Sequence, residues 1–293
     1  MMKALYSGVS GMRSHQTKMD VIGNNIANVN TYGFKTQRAT FRDVYYQTLK
    51  NPGAPGDDRG GTNASQVGYG AQIGSIDTIH TISGYSPTSK GTDIYINGDG
   101  YLAVKNSSGE TLYTRLGALN FDESGNLVDV NGSRVVGWDN EGSNAIKTKT
   151  EDGNTVIDLE NTLKTDPDVI SIKDYDKYNN ITINSDGTIT AVDENDKIVT
   201  IGAIPVFKIP NQDALVLEGN SYYSSGNNAG TPIINIPGAG GTGALVTGGL
   251  EMSNVDLANE FSDMIITQRG FQANTKIISV VDQMLEELVN LKR

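Results

Sequence analysis

The 293 residues are 37% hydrophobic and 19% charged, with 34 glycines, no cysteine and a net charge of −11. The absence of cysteine removes disulfides, thiolate metal sites and cysteine nucleophiles together, and the acidic balance argues against nucleic-acid binding, which needs a basic patch for phosphates. The charge is uneven as well: residues 139–200 hold fourteen acidic side chains against six lysines, the composition of a solvated surface.

From the N-terminus, Leu5, Met12, Met19 and Ile26 recur every seven residues and, with Val9 and Ile22, predict an amphipathic helix from 3 to about 29. Ser7, Gly8, Ser10, Gly11, Arg13 and Ser14 break up any leader-like apolar run, so neither a cleaved signal peptide nor membrane insertion is expected. Gly8, Gly11 and Gly23 lie inside the helix pattern. Each costs roughly 1 kcal/mol against alanine, which predicts a helix that orders mainly when its stripe is covered. Residues 33–70 follow as an extended connecting segment, rich in glycine from 51 onward.

The period then changes to two. Ile94, Ile96, Leu102, Val104, Ile181, Ile183 and Ile189 alternate, and Asn97-Gly98, Asn131-Gly132 and Asp186-Gly187 are dipeptides suited to tight hairpins. Residues 71–138 and 183–252 are accordingly assigned to a mainly antiparallel β domain, with 139–182 as a variable surface insertion and 226–249 as a second glycine-rich connector. A final helix is expected from near Ser253 or Asn254, either of which can cap, to about Asn290, with Leu257, Met264, Phe271, Ile278 and Leu285 at seven-residue spacing. A narrow apolar stripe on each terminal helix demands a partner helix, so residues 1–32 and 253–293 are read as one helical core. The fold class is α+β: a discontinuous α-helical coiled-coil domain from both termini, plus the β domain between them.

Chemical motifs are sparse. With only His15 and His80, a catalytic triad or histidine metal site lacks its parts, and neither cofactor nor metal is expected. Gly238, Gly240 and Gly243 satisfy G-x-G-x-x-G but open no helix, so a flexible linker explains them better than a dinucleotide site. Asn120, Asp122, Ser124 and Gly125 resemble the start of a calcium loop, but Asn131 stands where the bidentate Glu belongs, and a turn accounts for them. Sequons at Asn63, Asn106 and Asn180 carry little information by themselves. Paired carboxylates among Asp166, Asp168, Asp174 and Asp176 would suit glycoside hydrolysis, but they sit in a charge run that reads as solvated. A surface binding module with helical ends is the remaining competitor to a self-assembling structural protein.

The most specific stretch closes the first helix. Asn24, Asn25 and Asn28 offer side-chain amides, Ala27 lies between them, Gly33 permits a sharp exit and Phe34 can anchor it. At NNIANVNTYGFK, Asn24 to Lys35, the chain closely resembles the axial proteins of the bacterial flagellum, and Gly243 to Arg293 resembles the same family. Asp58 to Asn63 and the ending Glu287 to Arg293 look like the hook branch, whereas Tyr46 to Ala54 looks like the distal rod branch; the hook is preferred. The resemblance implies a non-enzymatic tube-forming subunit, exported by the flagellar type III apparatus to the hook and basal body outside the cell. Its implied partners are further copies of itself, the distal rod protein, the hook cap protein and the hook-filament junction protein. The resemblance also implies paired terminal helices around an export channel, with Gln268, Arg269 and Gln272 as channel lining. Hook proteins of some families carry a large second outer domain, and only residues 139–182 stand where it would be inserted.

Overall fold

The computed structural model describes residues 2–56, 60–139, 148–151, 154–157, 166–172, 178–193 and 197–291. Two compact units divide the chain: Met1–Val29 with Thr36–Ile79 and Val255–Arg293, and Asn30–Lys35 with His80–Asn254.

The first unit contains the helices α1 (Met2–Ala27) and α2 (Leu257–Asn290) and the strands β1 (Gln37–Asp43), β2 (Tyr46–Lys50), β3 (Ser65–Gly68) and β4 (Ala71–Thr78). α2 starts later than the sequence suggests. Asp256 caps it, its carboxylate accepting from the backbone N–H groups of Ala258 at 2.9 Å and Asn259 at 3.4 Å, so neither Ser253 nor Asn254 takes that place. The extended connector expected over 33–70 is largely strand. β1 pairs antiparallel with β4 from Gln37↔Thr78 to Asp43↔Ala71, and β2 pairs with β3 from Tyr46↔Gly68 to Lys50↔Ser65. The reason is packing. α1 buries Ser14, Val21 and Ile22, and Ser14 Oγ donates to the carbonyl of Ala71 at 3.2 Å, so this ladder covers part of α1. Residues 71–79 therefore belong to the helical unit, not to the β domain.

In the second unit the central sheet runs Asn179–Ile183, Thr188–Val192, Ile198–Ala203, Arg134–Asp139, Leu102–Lys105, Thr111–Thr114, Tyr222–Ser225 and Leu215–Gly219 from edge to edge, with antiparallel neighbours throughout. At the middle of the sheet both faces are buried, while the edge strand Leu215–Gly219 is largely exposed. Leu102, Val104 and Val135 enter one apolar cluster, while Tyr101, Ala103 and Val136 enter another. Each successive residue thus feeds the opposite face, which hides the alternation that an exposed face would show.

Three expectations change here. Gly132 at φ 81° and Gly187 at φ 83° sit in the tight connections expected at Asn131-Gly132 and Asp186-Gly187, but Asn97-Gly98 closes no hairpin. Ile94–Asn97 pairs instead with Ala244–Thr247, more than a hundred residues on. The glycine-rich stretch 226–249 is likewise no free linker: it supplies Ile233–Asn235 and Ala244–Thr247 as strands, and a Cβ on Gly243 would stand 2.5 Å from the carbonyl carbon of Asn97. Within the expected insertion 139–182, Asp168–Val169 pairs with Arg134–Asp139, and Ile170 and Ile172 are core residues. Residues 140–147, 152–153, 158–165 and 173–177 of that stretch, Asp174 among them, lie outside the described residues, as does Asp58. Asp176 lies outside them too.

Candidate assembly interface

α1 and α2 run antiparallel, as shown by contacts that descend α2 while climbing α1. Met12 Sδ meets Thr275 Oγ1 at 3.8 Å, Lys18 pairs with Asp263 at 3.2 Å, and Asn25 reaches Glu260 at 3.1 Å. Leu5, Met12, Met19 and Ile26 are half-buried on α1, as are Met264, Phe271 and Ile278 on α2; Leu257 and Leu285 at the ends of the line are exposed. The other line of α2 facing α1 is Glu260, Thr267, Asn274 and Val281, of which Thr267 is only 1% exposed. Helix pairing is thus present, whereas the two apolar lines of a coiled coil are not, because three of those four positions are polar.

The asparagine-rich end of α1 divides its work. Asn25, 1% exposed, donates through its amide to the carbonyl of Gln37 at 2.8 Å and to Glu260 Oε1 at 3.1 Å, and its Oδ1 accepts from Gln37 N at 3.0 Å. Its hydrogen-bonding groups are therefore satisfied despite burial. Burial raises the pKa of Glu260, opposed by the hydrogen bond from Asn25. Asn24 and Asn28 pair with one another at the surface, Asn28 Nδ2 donating to Asn24 Oδ1 at 3.0 Å, and Ala27 ends the helix exposed. His15 lies 5.5 Å from the Phe41 ring, and burial, then Lys18, lowers its pKa.

The remainder of the motif belongs to the second unit. Gly33 adopts φ 70° and its N–H donates to the Glu251 carbonyl at 2.9 Å; Phe34 is half-buried. Lys35, which sequence reading passed over, is fully buried: its ammonium donates to Glu251 Oε1 at 2.6 Å and to the Thr81 carbonyl at 2.7 Å. The Arg115 guanidinium approaches Glu251 Oε2 at 3.3 Å and donates to the Gly98 carbonyl at 2.8 Å, while Ser83 N–H donates to Glu251 Oε1 at 3.2 Å. One carboxylate therefore holds two buried cations. Burial lowers the pKa of Lys35 in spite of the opposing pull of Glu251.

Gln268, Arg269 and Gln272 are exposed on α2, with Arg269 donating to Gln272 Oε1 at 3.2 Å. The same helix exposes Phe261 (50%), Ile265 (60%) and Ile266 (64%), together with Val280, Met284, Leu288 and Val289. Uncovered apolar surface of this kind is a candidate for contact with another chain. Among the described residues no helix is long and apolar enough to cross a membrane, and no group of three or more His, Asp or Glu is placed to hold a metal. Asp168 pairs with Lys105 on the surface, and Asp122 accepts from the N–H groups of Ser124 and Asn126, the bonding of a turn.

Comparison with known proteins falls on these same parts. Residues 5–35 match the family described as Flagella basal body rod protein, 95–191 the Flagellar hook protein FlgE/F/G D1 domain, and 246–291 the Flagellar basal body rod FlgEFG protein C-terminal. The flagellar basal-body rod protein FlgG of Bacillus subtilis is 44% identical over 294 residues, covering 100% of both chains. In Borreliella burgdorferi, the rod protein FlgG is 32% identical over 295 residues and the hook protein FlgE 30% identical over 442, each again covering 100% of both chains. The longer alignment means that this hook protein carries many residues with no counterpart here.

Proposed function

This chain belongs to the flagellar rod and hook family, a family of structural components of the flagellum, and from that premise we propose that it is a rod subunit of the distal type. The observation that carries the reading is end-to-end correspondence with rod proteins at nearly equal length, against hook relatives with a large insertion. This reverses the preference for the hook drawn from Asp58 to Asn63 and Glu287 to Arg293. Two short segments weigh less than the whole chain.

In this reading the subunits polymerise into a straight tube. The exposed apolar residues of α2 are covered by neighbouring copies, and Gln268, Arg269 and Gln272 face the export channel. Partners are further copies of the chain and the adjoining axial subunits, the hook protein among them. Export proceeds through the flagellar type III apparatus, and the protein resides in the basal body.

Electron microscopy of polymer grown from purified full-length chain tests this. A straight tube with a central channel is expected. A curved tube would return the hook reading, and a discrete oligomer of fixed mass would favour the surface binding module instead.

A further inference from the structure

A line of apolar residues repeating every seven positions does not fix how two helices align. Sliding α2 by one heptad would again set Met and Ile against Met, Phe and Ile, so this line permits more than one pairing. The chain nevertheless adopts one, and the residues that single it out are not the apolar ones.

Three glycines meet bulky side chains of the opposite helix. A Cβ at Gly8 would stand 3.4 Å from Ile278 Cγ1, one at Gly11 would stand 2.9 Å from Asn274 Nδ2, and one at Gly270 would stand 2.7 Å from His15 Cε1. Gly11 and Gly270 are thus holes filled by a side chain from across the seam, whereas a Cβ at Gly8 would make only an ordinary van der Waals contact. Gly23, by contrast, has nothing within 4 Å of its Cβ position, so helix glycines do not sit in holes by default. Asn25 adds a polar requirement, because its buried amide is satisfied only while Gln37 and Glu260 stand opposite. After a slip of one heptad, Gly11 would face Thr267 or Val281, and His15 would meet Asp263 or Ile277 in place of a glycine. Asn25 would lose Glu260.

We propose that Asn25, with the holes at Gly11 and Gly270, sets the register of the terminal helix pair. The proposal stands on contacts within the helical unit and is independent of whether the polymer is rod or hook. It also explains why α1 retains Gly11 in spite of its cost to helix stability.

The chain has no cysteine, so engineered pairs report register directly. Met12→Cys with Thr275→Cys reads the observed alignment, and Met12→Cys with Gln268→Cys or Asp282→Cys reads a slip of one heptad either way. On oxidation of full-length protein, the parent background is expected to give only the first disulfide. With Asn25→Leu added, the ratio of observed to slipped product is expected to fall at least about tenfold. No disulfide through the first pair in the parent, or an unchanged ratio in Asn25→Leu with helix content preserved, would overturn the proposal. Should Asn25→Leu lower helix content by circular dichroism, Gly11→Ala decides. It is expected to slow disulfide formation through the first pair, and Asn274→Ala in the same chain is expected to restore it. Failure of that restoration overturns the proposal as well.

Discussion

Replacing Glu251 with leucine should unfold the second unit well before the parent. Glu251 is 1% exposed, and its carboxylate accepts from Lys35 at 2.6 Å, Ser83 N at 3.2 Å and Arg115 at 3.3 Å. Removing it strands two buried cations, and breaking a buried ion pair from one side costs about 3–5 kcal/mol. A unit of this size loses roughly 2–4 °C of melting temperature per kcal/mol, so the transition should fall by about 6–20 °C. The assay is available without labels, because Trp138 is the only tryptophan and is buried in that unit. Its fluorescence against temperature or urea reports the unfolding. Lys35→Met alone should cost less, since Arg115 still faces the carboxylate. The triple change Lys35→Met, Arg115→Met and Glu251→Leu should recover much of the loss by exchanging the cluster for apolar volume. A loss below about 1 kcal/mol for Glu251→Leu would refute the claim that this carboxylate holds both cations.

The remaining predictions concern single groups. Burial pushes the pKa of His80 down from 6.5 to about 4, so its contribution to stability is fully present above pH 6.5 and is lost as pH falls toward 4. Between pH 7 and 4.5 the second unit should lose about 2 kcal/mol that a His80→Gln variant does not lose, measured by urea unfolding at each pH. Gly117→Ala should destabilise the same unit by about 3 kcal/mol or more in the same assay, because its Cβ would stand 1.8 Å from the Ile94 carbonyl oxygen, on rigid backbone. Asp256→Ala removes the cap of α2 and should cost about 1 kcal/mol, read as earlier loss of helical circular dichroism on heating.

What could be read from the chain depended on whether a residue's role was local. Met264, Phe271 and Ile278 announced a helix because apolar spacing is a property of the segment itself, and Asn131-Gly132 announced its turn for the same reason. Glu260, Thr267 and Asn274 were silent. A polar residue in a seam looks in sequence like one on a solvated face, and Thr267 is buried only because α1 lies against it. Asn97-Gly98 misled by the same route: its local preference for a hairpin yields to pairing with Ala244–Thr247.

Lys35 is the extreme case, since its partner Glu251 stands 216 residues away and neither residue differs, in sequence, from a surface charge. Yet Lys35 closes the stretch by which the family was recognised, and the structure supplies a reason for its place there. Residues 30–35 lie between two stretches of the helical unit in sequence but belong to the β unit, so this segment must be held by something other than a helix or a ladder. Gly33 brings the backbone to the Glu251 carbonyl, and Lys35 brings an ammonium to the Glu251 side chain. A glycine and a lysine two residues apart thus grip the main chain and the side chain of one residue, and arginine at position 35 would add bulk where no space is exposed.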